Sequence, residues 1–111
     1  RHRREGGVME RIGELARMIC DEVRDARKYA KLALKAKDTS ALADARTFAE
    51  ISNQELGHAD KLHDMVVNAI AQAKQAGKEP PEGMERVWDW EHERIIEDTA
   101  EVRNLLGMLN A

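Results

Sequence analysis

The chain has 111 residues, a formal net charge of −3 and a single cysteine, Cys20. That length allows one domain with a modest core. The acidic balance and the 4% aromatic content argue against nucleic acid as a partner, because neither phosphate neutralisation nor base stacking is provided for. No apolar run reaches the ~20 residues needed to cross a bilayer, and no apolar signal segment opens the chain. One cysteine cannot form an internal disulfide or a CxxC metal site, so a reducing, cytoplasmic compartment is expected.

Residues 1–7, "RHRREGG", read as a flexible basic lead. Helical periodicity then runs over about 8–37. The stretch "KDTS" at 37–40 interrupts it, and Asp38, Thr39 and Ser40 are all suited to cap a following helix. A second helix is expected over about 41–76, a loop over 77–83 ("GKEPPEG"), and a third helix over about 84–109. Strand alternation and fixed-period repeats are missing from the pattern. The expectation is a single all-α domain over 8–111: a long antiparallel helical hairpin plus a third helix.

Two glutamates break the apolar stripes. At about 100° per residue, Leu15, Met18, Ala26, Tyr29 and Ala33 fall within about 40° of Glu22. Phe48, Ile51, Ala59, Leu62, Val66 and Ala73 fall within about 40° of Glu55. Both carboxylates are therefore expected near the middle of buried faces, where a lone charge costs several kcal/mol. No lysine or arginine is central on either stripe within two turns. A bound cation would resolve the conflict.

Register strengthens this reading. Glu22 and Glu55 are equidistant in sequence from the Asp38–Thr39 turn, so an antiparallel hairpin sets them level. His58, one turn after Glu55, projects from the same side of its helix. Two carboxylates and an imidazole suit iron, manganese or zinc. With two such ions, Glu55, and Glu22 with it, would bridge them, Glu22 would cap one, and His58 would supply a neutral nitrogen. His63 lies on the other flank of Glu55 and is a second-shell or structural candidate.

Glu22 followed by "ELGH" (Glu55–His58) resembles the first half of a ferritin-like or rubrerythrin-like di-iron protein. Tyr29, two turns after Glu22 on the same face, resembles the tyrosine often found near such sites and could pass an electron or a hydrogen bond. The resemblance covers about residues 8–76 and implies a four-helix bundle, a carboxylate-bridged pair of irons, and oxygen or peroxide chemistry. A second Glu-x-x-His is absent from the chain. Glu91 and His92 on the third helix are the remaining candidates. With a loop centred near residue 80, however, Glu91 would lie roughly 20 Å along the axis from Glu55.

Two copies related by a two-fold axis would supply two Glu22, two Glu55 and two His58. That arrangement resembles half-ferritins of encapsulated type, completed as homodimers or larger homo-oligomers with a shell or cage partner. It implies a ferroxidase-like activity on Fe(II) inside a protein compartment. Without a four-cysteine electron relay, peroxide reduction ranks below iron oxidation. The competing reading is a non-catalytic helical assembly or adaptor protein, or a bundle with a structural zinc or manganese ion.

Overall fold

The computed structural model describes the backbone of residues 3–77 and 82–110, and the side chains of 7–77, 86 and 88–110. Three helices follow in order: α1 (Arg3–Asp38), α2 (Leu42–Gln75) and α3 (Glu82–Gly107), ending in a short 3-10 turn, Met108–Asn110. The all-α hairpin-plus-helix architecture agrees with the sequence pattern. α1 and α2 form the antiparallel hairpin, and α3 lies mainly against α1. The bundle measures 59 × 19 × 17 Å with a radius of gyration of 17.3 Å. A compact chain of this length would have about 13 Å, so much of each long helix faces outward.

Two local expectations change. Residues 3–7 of the basic lead are helical and continue α1; Gly6 and Gly7 lower helix propensity by about 1 kcal/mol each but can take helical dihedrals. Residues 1–2 and 78–81, which hold the rest of the lead and most of the proline loop, lie outside the described residues. None of the three expected caps serves α2. The Thr39 hydroxyl instead bonds back to the Ala36 carbonyl (3.1 Å) and the Lys35 carbonyl (3.3 Å), closing α1. Ser40 takes the left-handed conformation the reversal demands (φ 64°), and Ala41 occupies the cap position of α2 without a side-chain bond.

The seam between α1 and α2 near the turn is built from small residues. Ala26, Ala30, Ala33 and Ala36 on α1 are buried, as is Ala45 on α2. Their size lets the backbones approach. Ser52 is fully buried there, and its hydroxyl donates to the Ala26 carbonyl at 2.7 Å. Larger residues fill the other half, where Ile12, Leu15, Ile19 and Val23 of α1 share a buried cluster with Leu56 and Val66 of α2 and Ile95 of α3; Val102 extends that cluster along α3. At the far end of α3, the Lys37 ammonium donates to the Met108 and Leu109 carbonyls (3.2 and 2.9 Å), satisfying orphan acceptors as a terminal lysine can.

The buried arc is rotated from its expected position. On α1 it runs through Leu15, Ile19, Val23, Ala26 and Ala30, centred about 60° round from Glu22. On α2 it runs through Ala45, Ser52, Leu56, Ala59 and Val66, again about 60° from Glu55. α3 causes the shift, because it packs on the Ile19–Val23 side and draws burial toward itself. Glu22 and Glu55 therefore stand at the boundary of the core and not at its middle. Met18, on the expected stripe, is 49% exposed.

Candidate metal centre

The level register of α1 and α2 brings Glu22, Glu55 and His58 together. One ligand atom from each lies within 4.8 Å of the others. The Glu22 Oε2 to His58 Nδ1 distance is 3.4 Å, and Glu55 Oε2 to His58 Nδ1 is 4.0 Å. Side-chain exposure rises from 21% for Glu55 and 27% for Glu22 to 55% for His58, so the cluster opens away from α3.

Electrostatics leave the cluster short of positive charge. Glu22 Oε2 is buried and accepts no hydrogen bond. Among the described residues, the ion pairs give neither carboxylate a lysine or arginine. The Glu55 carboxyl is pushed above its ordinary value of 4.5, first by a hydrogen bond shared with Glu22, then by burial and by the Glu22 charge; His58 acts the other way. With both groups ionised, the polar neighbour of Glu22 Oε2 is His58 Nδ1, at 3.4 Å and without a hydrogen bond formed. A proton on Glu55 would give it a partner, and so would a cation held by both. The donor set, two carboxylates and one imidazole, fits an ion of the iron, manganese or zinc type.

The other sequence candidates are placed elsewhere. Tyr29 is half-buried and stacks on Phe48 (ring centroids 6.2 Å apart) with the Lys28 ammonium 5.3 Å from its ring; it lies two turns, about 10 Å, along α1 from Glu22. The Glu91 carboxylate accepts from the Cys20 thiol at 3.7 Å. Burial, followed by the Glu91 charge, raises that thiol's pKa. His63 and His92 meet each other, Nε2 to Nε2, at 3.0 Å.

That last contact was not legible from the loop. It centres the α2–α3 reversal between residues 77 and 78, where Gly77 adopts φ 75°, and not near residue 80. Glu91 is consequently closer in height to Glu55 than expected, yet it stays outside the cluster because it faces α1. Trp88 is half-buried against His92, whereas Trp90 is 57% exposed under the Arg94 guanidinium.

No protein-family model matches the chain, and no curated protein or solved structure matches it. Among the described residues, no helix is long and apolar enough to cross a membrane.

Proposed function

We propose that the chain binds iron at Glu22, Glu55 and His58 and oxidises Fe(II), with a second copy of the chain completing the site. The observation that carries this reading is the convergence of three ligand atoms within 4.8 Å around a buried Glu22 oxygen that accepts no hydrogen bond. Three side chains cannot satisfy two metal ions, and His58 faces outward, so the remaining ligands would come from outside the chain. The surface beside the cluster supports a partner. Met18 and Met65 are 49% and 41% exposed, and Tyr29, Phe48 and Ile51 are half-buried along the helix faces that carry the two carboxylates. A symmetric pairing over this face would bury them and bring a second Glu22, Glu55 and His58 to the first.

In this reading Glu22 and Glu55 hold Fe(II), the substrate, through oxygen, and His58 holds it through nitrogen. Two irons together release the two electrons that, with two protons, convert oxygen to hydrogen peroxide. Carboxylates favour the ferric product by offsetting its added charge. The second reading, a metal-free assembly module, is favoured by the raised Glu55 pKa, because a shared proton alone can relieve the carboxylate pair. One experiment separates them. Metal-free protein is titrated anaerobically with Fe(II), its mass in solution is measured, and air is then admitted while ferric absorbance is followed. About one iron per chain, a dimer or larger and rapid oxidation are expected. Absence of iron binding would refute the proposal and leave the assembly module.

A further inference from the structure

His63 on α2 and His92 on α3 approach nitrogen to nitrogen at 3.0 Å. Two neutral imidazoles can do this only if one Nε2 carries the proton and the other offers its lone pair. The rings are held in place. Trp88 stacks on His92 with centroids 5.4 Å apart and planes 16° from parallel, and it lies 6.1 Å from His63. The rings of the two histidines are 4.9 Å apart.

The same span suits one metal ion. With nitrogen–zinc bonds of about 2.0–2.1 Å, two imidazoles on one ion lie roughly 2.9–3.4 Å apart for angles between a right angle and the tetrahedral one. The shared proton can thus be exchanged for an ion by tilting the rings, with the helices left where they are. Beside the pair is a cavity of 330 Å³, with Asp60, Thr99 and Arg103 at its polar edge. It has room for the waters that would fill the remaining coordination positions. Asp60 favours a cation there, and Arg103 opposes one.

We propose that His63 and His92 form a second metal site, for a divalent transition ion that prefers imidazole nitrogen, clasping α3 to α2. This pair and the carboxylate cluster differ in donor type. Imidazole nitrogen suits zinc, copper, nickel or iron, whereas carboxylate oxygen suits manganese and other hard ions. The chain would then hold metal at two places along α2, five residues apart at His58 and His63. The clasp has a structural role, since α3 packs chiefly on α1 and the histidine pair joins it to α2. The proposal does not depend on iron binding at Glu22 and Glu55.

The test uses Zn(II) alone, on metal-free protein. Ring-nitrogen NMR follows all histidines of the wild-type chain, and calorimetry is repeated in Glu55→Ala to remove the carboxylate site. The Nε2 signals of His63 and His92 are expected to shift together with added Zn(II), and Glu55→Ala is expected to keep this site. His63→Gln and His92→Gln should each weaken it about tenfold or more, since even supporting residues around a metal contribute that much. Zn(II) that moves only His58, or that moves neither of the pair, would overturn the proposal. So would unchanged affinity in both glutamine variants, with circular dichroism showing that they remain folded.

Discussion

Replacing Glu55 by glutamine should stabilise the metal-free protein while abolishing its iron binding. The two carboxylates have oxygens within 4.8 Å of each other. At that separation two full charges repel by about 3.5 kcal/mol if the effective dielectric constant is ~20. Both side chains retain some exposure (21% and 27%), and salt screens them, so about 1 kcal/mol is a realistic gain. For a chain of this size that corresponds to roughly 4–5 °C in thermal midpoint. The glutamine amide can also donate to the orphan Glu22 oxygen. Acid should erase the difference. The folded Glu55 carboxyl binds its proton more tightly than the ordinary value of 4.5. Its contribution to stability is therefore complete below that value and is lost as pH rises through the folded pKa. The wild type should match the variant in acid and fall behind it toward neutrality. Thermal unfolding by circular dichroism, with chelator, across pH 4–7 reads both effects. A variant less stable than wild type at neutral pH, or an offset independent of pH, would refute the carboxylate repulsion argument.

Three further outcomes follow from the packing. Ser52→Ala removes a fully buried hydroxyl bonded to the Ala26 carbonyl and should cost about 1 kcal/mol, read by urea unfolding with an unchanged m-value. Ile19→Ala empties a position of zero exposure where all three helices meet and should cost about 2–5 kcal/mol; a loss under 1 kcal/mol would mean α3 does not seal the core there. Arg27→Ala breaks contacts to Glu101 at 2.7 Å and Asp98 at 3.3 Å. Because all three side chains are a third exposed or more, the loss should stay under about 1 kcal/mol and shrink further at high salt.

The hairpin and its three-residue cluster were legible because each depends on a periodicity that local sequence carries. Glu22, Glu55 and His58 needed only helix geometry and a turn position, and the turn at Asp38–Thr39 lay where a break in the pattern marked it. The depth of those residues was not legible. Burial is set by which side of the hairpin α3 occupies, and that depends on contacts such as Cys20 with Glu91 and Arg27 with Asp98, far apart in sequence. The same reason hid the His63–His92 contact. A shift of two or three residues in the centre of the reversal moves a partner on α3 by more than a full turn. The misassigned caps have a different origin. Thr39 and Ser40 have the right chemistry for starting a helix, but hydroxyls serve a helix end equally well, and the reversal needed a left-handed residue more than it needed a cap.

The uneven half of the hairpin seam has a bearing on the cluster that neither feature shows alone. Alanine faces slide on one another easily, since nearly the same surface recurs at every turn, and after a one-turn slip the Ser52 hydroxyl would meet another carbonyl of α1. Glu55 would then stand about 5.4 Å out of step with Glu22, too far for both to grip one ion. The larger residues oppose the slip, because Ile19, Val23, Leu56 and Val66 present unlike shapes at successive turns. The apolar core thus acts as the alignment pin for the carboxylates at its edge.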